Sequence, residues 1–215
     1  DCPLFLMMSG GGLTTLETAV RFPIRLVESG PAGGAILASE IAAECDLPEV
    51  LSFDMGGTTA KICLLRNGEP ERARKFEIAR AYRDMKGSGI PVRIPVIEMV
   101  EIGAGGGSIA RVDKLNRITV GPDSAGSTPG PVCYGLGGAE PAVTDANLAL
   151  GKIDPAYFAG GKIKLDEPAA ISALQKSIGL PLGPKGSWPA AGVTEIVEEN
   201  MANAARVDAI ERGRD

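Results

Sequence analysis

The chain contains no histidine. A Cys/His zinc site is therefore excluded, and so is an imidazole general base within these residues. Aromatic residues make up only 4% of the 215 positions, so alanine, valine, leucine and isoleucine must fill the core. Four cysteines are present, Cys2, Cys45, Cys63 and Cys133, and none forms a CxxC pair. Their wide spacing suits reduced, mostly buried thiols and a cytoplasmic setting. No apolar run reaches the ~18 residues of a membrane helix, and the opening "DCPLFLMMSGG" lacks the basic region of a signal peptide. The net charge is −5, with no basic stripe interleaved with aromatics, so neither nucleic acid nor membrane is an expected partner.

What is abundant is glycine, 29 residues in clusters rather than scattered. Clustering points to special backbone turns, not to a flexible linker. Residues 3–8 read as a buried strand ending in the Gly10-Gly11-Gly12 turn. Thr14 or Thr15 is placed to cap a short helix through Arg21. "FPIRLVESG" (22–30) reads as a strand. A helix follows, with Pro31 near its first turn and a stripe of Ile36, Leu37, Ile41 and Cys45. Residues 50–55 and 60–66 read as strands, "RNGE" (66–69) as a hairpin turn, and 73–82 as the third strand of a meander.

Residues 91–103 look extended, with Pro91 and Pro95 limiting their pairing. The long Gly/Pro region 117–151 holds Val132, Cys133, Tyr134 and Val143, so it is expected to be an ordered, packed loop. A short helix follows, capped by Thr144 or Asp145. Asp166 is placed to cap a helix over 167–178. Val193, Ile196, Val197, Met201, Ala204, Val207 and Ile210 give 192–215 the spacing of a long amphipathic helix. The pattern predicts an α/β fold, a mixed β-sheet with flanking helices. It divides into a leading strand–helix part (1–48) and a β-meander subdomain (49–215). Both chain ends read as cut, so an internal fragment of a longer protein is expected.

The chemistry concentrates at "SFDMGGTT" (52–59). Gly56 and Gly57 allow a tight turn and offer unobstructed N–H groups to an anion. Thr58 and Thr59 add hydroxyl donors. Asp54, at a strand end, can reach a hydrated Mg²⁺ or orient a water. The competing reading is a decorated hairpin turn. Gly105, Gly106 and Gly107 in "GAGGGS" (103–108) form a second candidate anion nest, against a bulged turn in a sheet. Asp145 in "TDAN" is a metal or substrate candidate, although a helix N-cap needs the same residue type and has the better odds. Solvated charge is the default for Glu101, Asp113 and Lys61, and core packing is the default for Cys133 and Tyr134.

Strand, DxGGTT, strand, NG turn and strand resemble the phosphate-binding meander of the superfamily of sugar and acetate kinases, actin and chaperone ATPases. More specifically, six stretches in order resemble the hydantoinase A / 5-oxoprolinase family. They are "MMSGGGL", "SGPAGGA", "SFDMGGTT", "EIGAGGGSIARVD", "VGPDSAGSTPGPVCYGLGG" and "PAVTDANLALG". The resemblance implies a ribonuclease H-like, actin-like ATPase half. It implies ATP and Mg²⁺ as cofactors and a cyclic amide as substrate, activated by phosphorylation of its carbonyl oxygen. It also implies a hydantoinase B-like partner subunit and a homo-oligomer. Asp54 would be the catalytic residue, Gly56, Gly57, Thr58, Thr59 and Gly105–Gly107 would bind the nucleotide, and Asp54 and Asp145 the metal. An ATP-dependent ketone carboxylase subunit, or a silent ATP-binding scaffold subunit, is the alternative.

The sequence departs from the family pattern in three places. Ala60-Lys61 replaces Thr-Asp after DMGGTT. Met7-Met8-Ser9-Gly10 replaces a more polar turn. The family's first phosphate loop and its purine-binding segment are absent from the chain. Weak ATP binding and no catalysis are therefore expected of these 215 residues alone.

Overall fold

The computed structural model describes residues 2–78, 87–183 and 185–213. The chain packs as two compact units, Asp1–Asp54 with Lys61–Val100, and Met55–Ala60 with Glu101–Asp215. The division does not follow the 48/49 boundary expected from the sequence. The reason lies in β4, whose Cys63 and Leu65 pack on the leading helix and bind the meander to the N-terminal part.

In the first unit, β1 (Phe5–Met7) and β2 (Leu13–Thr15) form an antiparallel hairpin with Leu6 opposite Thr14. Thr15 caps α1 (Leu16–Arg21), its hydroxyl accepting from the Thr18 N–H at 3.3 Å. The expected strand over 22–30 does not form. Pro23 opens a 3₁₀ turn (Pro23–Leu26), and Glu28, at φ 62°, turns the chain into α2 (Ser29–Glu44). Proline fixes φ at the turn start and supplies no ladder donor, which outweighs the apolar run.

The buried face of α2 also differs from the expected stripe. Ala32, Ala35 and Ala42 are buried, while Leu37, Ile41 and Cys45 are exposed. The small alanines let the helix pack on Cys63, Leu65 and Ile97. The "SGPAGGA" glycines lie within the helix, and a Cβ at Gly30 or Gly34 would meet nothing within 4 Å.

β3 (Glu49–Met55) and β4 (Ala60–Arg66) are neighbours in one sheet, and β5 (Glu69–Pro70) pairs with β4. Asn67 (φ 51°) and Gly68 (φ 74°) make the two-residue turn that "RNGE" predicts. The third strand is broken up. Pro70 ends the ladder on β4, and β6 (Arg72–Ala73) and β7 (Phe76–Ile78) pair instead with β9 (Val96–Ile97) and β8 (Ile90–Val92). Residues 79–82 of that expected strand lie outside the described residues.

β10 (Val100–Ile102) leads into the second unit. There β11 (Ser108–Val112) and β12 (Ile118–Ser124) pair antiparallel, with a bulge between Ser108 and Ala110. The Gly/Pro region is ordered, as expected, with Pro131, Cys133 and Pro141 fully buried. α3 (Val143–Ala149) and α4 (Glu167–Leu174) follow, the latter capped by Asp166. A π turn (Gln175–Gly179) joins α4 to the short α5 (Leu180–Leu182). The chain closes on α6 (Trp188–Glu211), longer at its start than the predicted 192–215 because Pro189 sits in its first turn. Val193, Val197 and Met201 are buried against Val143, Ala146, Leu174 and Ile178, but Val207 and Ile210 are exposed. Among the described residues, no helix is long and apolar enough to cross a membrane.

Candidate phosphate-loop site

The loop between β3 and β4 folds through one internal bond, the Gly56 N–H donating to the Thr59 carbonyl at 2.9 Å. Its next two N–H groups, those of Gly57 and Thr58, have no acceptor among the described residues. Both residues are exposed. Two consecutive exposed N–H groups without partners, beside the Thr58 hydroxyl, form a donor set suited to an oxyanion.

The "GAGGGS" loop lies directly beneath. The Gly106 N–H donates to the Gly56 carbonyl at 3.0 Å, and the Gly107 N–H to the Gly57 carbonyl at 2.6 Å. The Gly105 N–H donates to the Ser108 hydroxyl at 2.9 Å, and the Ser108 N–H returns to the Gly105 carbonyl at 3.0 Å. Every N–H from Gly105 to Ser108 is thus engaged within the unit. The glycines are required by proximity. A Cβ at Gly105 would sit 2.7 Å from Gly56 O, Gly57 C and Thr58 C, closer than any side chain tolerates. The density of glycine in this loop reports backbone stacked on backbone.

Asp145 is fully buried. Its carboxylate accepts from the N–H groups of Val132 (3.1 Å), Cys133 (2.8 Å) and Ala142 (2.8 Å). It sits at the third position of α3, where it ties the helix start to the 131–133 turn. Burial, reinforced by Asp145, pushes the Cys133 thiol well above the ordinary thiol range, so Cys133 is a protonated core group and no nucleophile. Tyr134 is likewise raised, mainly by burial, and packs on Phe158.

The Asp54 side chain is exposed and has no hydrogen-bond or ion-pair partner among the described residues. No cluster of three or more His, Cys, Asp or Glu side chains placed to hold a metal occurs among them either. A metal here would rest on one carboxylate, water and ligand oxygens, a donor set that Mg²⁺ accepts and a dedicated protein cage does not need. Asp113 makes a turn, accepting from the N–H groups of Leu115 and Arg117. Lys61 is not a solvated strand residue: it is paired with a carboxylate. Its ammonium lies 3.3 Å from Glu28, and the side chain is 15% exposed. Ser9, in the turn that departs from the family, is buried, and its single hydroxyl proton is shared between the carbonyls of Arg25 and Val27.

Two residues escape a reading by motif. Thr144 donates both its N–H and its hydroxyl to the Gly106 carbonyl, each at 2.8 Å. Ser108 is fully buried beneath Gly105. A hydroxyl residue at a helix start reads equally well as a cap, so only tertiary contact reveals this use.

Residues 1–215 match the family model described as Hydantoinase/oxoprolinase. An uncharacterized protein of Methanocaldococcus jannaschii is 41% identical over 98% of this chain and 31% of its own length. The caprolactamase subunit alpha of Pseudomonas jessenii is 38% identical over 99% of this chain and 29% of its own. The crystal structure of that organism's ATP-dependent caprolactamase superposes with a TM-score of 0.77 at 37% identity, covering 100% of this chain and 30% of the other. A nucleotide-free acetone carboxylase, from work on ATP-dependent acetone carboxylation, gives a TM-score of 0.81 at 28% identity, over 99% of this chain and 28% of the other. The mixed α/β architecture is consistent with an actin-like fold. The chain spans under a third of the length of these relatives.

Proposed function

The chain belongs to the hydantoinase/oxoprolinase family, and on that footing we propose that residues 55–60 are a phosphate-binding loop of an ATP-dependent enzyme that opens a cyclic amide. The observation that carries this reading is the pair of unengaged N–H groups at Gly57 and Thr58, in a unit where the neighbouring Gly105–Ser108 N–H groups are all bound. These donors, with the Thr58 hydroxyl, hold phosphate oxygens. Gly56 and Thr59 close the loop. Gly105, Gly106 and Gly107 support it from below rather than touching the nucleotide. Asp145 is assigned to positioning, not to the metal. Asp54 takes Mg²⁺, which when bound supplies neutralising charge on the phosphates.

In the proposed reaction the amide carbonyl oxygen attacks the γ-phosphorus of ATP. An O–P bond forms, and the bond to the leaving ADP breaks. Water then adds to the activated carbon, the C–N bond opens as nitrogen takes a proton, and a second water hydrolyses the resulting acyl phosphate to the ring-opened acid and phosphate. Such chemistry rests on positioning and charge neutralisation, which suits a chain without histidine. The remaining parts come from the rest of the longer protein, working with a partner subunit and as a homo-oligomer. The relative named as subunit alpha supports that partnership. Free thiols support a reducing, cytoplasmic compartment.

The test is ATP turnover by the full-length protein with its partner, on a panel of cyclic amides and of ketones with bicarbonate. Phosphate and ring-opened acid should appear in step, and Asp54→Ala should abolish both. Bicarbonate-dependent turnover with a ketone would install the carboxylase reading that the acetone carboxylase neighbour offers. Turnover untouched by Asp54→Ala would reduce the motif to a turn. For the 215-residue chain alone, calorimetric titration with Mg-ATP should show weak or no binding.

A further inference from the structure

We propose that Thr144 is a positioning residue for the phosphate loop, acting on the Thr58 N–H through two peptide units. This deepens the phosphate-loop reading and rests on it. Thr144 donates its N–H and its hydroxyl to the Gly106 carbonyl, each at 2.8 Å. That carbonyl belongs to the same peptide as the Gly107 N–H, which donates to the Gly57 carbonyl at 2.6 Å. The Gly57 carbonyl in turn shares its peptide with the Thr58 N–H, which has no acceptor among the described residues. Each acceptance at a carbonyl polarises the N–H at the other end of that amide, so the chain strengthens toward its open end.

A parallel chain ends one residue earlier. The Ser108 N–H donates to the Gly105 carbonyl, the Gly106 N–H of that same peptide donates to the Gly56 carbonyl, and the Gly57 N–H is left open. The two open donors are therefore the ends of two hydrogen-bonded chains, and they sit side by side. Only the chain to Thr58 begins at a side chain, so it alone can be tuned by substitution. Space enforces the arrangement. A Cβ at Gly106 would lie 2.9 Å from the Thr144 hydroxyl oxygen, and one at Gly107 would lie 2.9 Å from the Gly57 carbonyl oxygen. Neither glycine can be replaced without moving a link.

The chain carries two distinct donations at its root. Thr144→Val removes the hydroxyl, keeps the side-chain shape and leaves the Thr144 N–H bond in place. Thr144→Ser keeps both donors. In the full-length protein with its partner, Thr144→Val should raise the KM for Mg-ATP by about three- to tenfold, the range of one hydrogen bond. Thr144→Ser should stay within about twofold of the parent on the same scale. The KM for the amide substrate should hold, while the melting temperature should fall by the few degrees that one buried hydrogen bond is worth, since the Thr144 hydroxyl also hydrogen-bonds the Tyr134 side chain. Should Thr144→Val not fold, Gly106→Ala tests the same link from the other side by displacing the hydroxyl, and it should raise the Mg-ATP KM likewise.

An unchanged Mg-ATP KM in a folded Thr144→Val protein overturns the proposal and leaves the phosphate-loop reading standing. Equal losses in Thr144→Val and Thr144→Ser also overturn it, because the hydroxyl is then not the working group. A parent protein with no ATP dependence at all removes both the relay and the reading beneath it.

Discussion

The two compact units bury different things. The first holds its helix with alanines, Ala32 and Ala35 against Cys63, Leu65 and Ile97. It leaves Phe5, Leu13, Val20, Phe22, Leu37, Leu51 and Phe53 exposed. The second buries Val143, Leu148, Leu174, Ile178, Val193 and Val197, and with them Ser108 and Asp145. Apolar area removed from water stabilises by roughly 25 cal/mol per Å², so the second unit has the larger apolar contribution. It also carries the polar groups that hold irregular backbone in place. Order in the Gly/Pro region thus comes from satisfied buried donors, while in the first unit the leading helix is seated by alanines against Cys63, Leu65 and Ile97.

The largest test of that contrast is Asp145→Ala. It strands three backbone donors, two of them in fully buried surroundings. Each stranded buried donor costs ~1–3 kcal/mol, so a loss of roughly 3–5 kcal/mol is expected after partial relaxation. Trp188 is the chain's one tryptophan and lies in the second unit, so its fluorescence in a urea titration follows that unit. A loss under about 1 kcal/mol, the net worth of one ordinary hydrogen bond, would mean the Gly/Pro region is held by its apolar contacts alone.

Next come two glycine-to-alanine changes that ought to part in sign. At Gly105 the new Cβ meets backbone at 2.7 Å, and overpacking of that kind costs about 1–3 kcal/mol. At Gly34, inside α2, it meets nothing within 4 Å, and helix propensity should add about 0.5–1 kcal/mol of stability. Urea midpoints check both, with circular dichroism at the helix band following α2. Equal effects at the two positions would show that the glycines are interchangeable, and the contrast between the units would fall.

A third comparison uses the thiols. Cys2 and Cys45 are exposed, whereas Cys63 is buried in the first unit and Cys133 in the second. Local opening governs the labelling of a buried thiol. If the alanine-packed unit opens more readily, a maleimide should trap Cys63 at least about tenfold faster than Cys133, a difference of ~1.4 kcal/mol in opening free energy. Mass spectrometry of timed digests reads the order directly. Faster capture of Cys133 would reverse the ranking of the units.

How much of this was legible beforehand follows the same division. Local rules read well where local chemistry decides. Asn67-Gly68 makes the predicted turn, and Thr15 and Asp166 cap their helices. They failed where size complementarity decides, since Leu37 and Ile41 of the expected stripe face solvent while the alanines of α2 face the core, with Ile36 alone of the stripe packed against it. They failed again at 22–30, where Pro23 and the left-handed Glu28 overrode an apolar run. The exposed turn proposed as the phosphate loop, whose flanking strands form as expected, could be located from DMGGTT. The use of Gly105–Gly107 could not, because an anion nest and a backbone stack demand the same residue. Asp145 and Thr144 posed the same problem, since a helix start accepts either type for its own needs.

The smallest effect belongs to the surface of the second unit, where Arg111 reaches both Asp123 and Glu140. Its Nε and Nη2 donate to the two Glu140 oxygens at 2.7 and 3.1 Å. The hydrogen bond from Arg111 holds the Glu140 carboxyl below the ordinary carboxylate range. A lowered folded value means a contribution present above that range and lost as pH falls through the folded value. Both side chains are about half exposed, so water screens the pair, and Glu140→Gln should cost only ~0–1 kcal/mol at neutral pH. Substitution should flatten a small part of the acid limb of the stability curve and leave the alkaline side unchanged. If Glu140→Gln instead matched Asp145→Ala in cost, surface ion pairing rather than buried donor satisfaction would be what holds the second unit's loops.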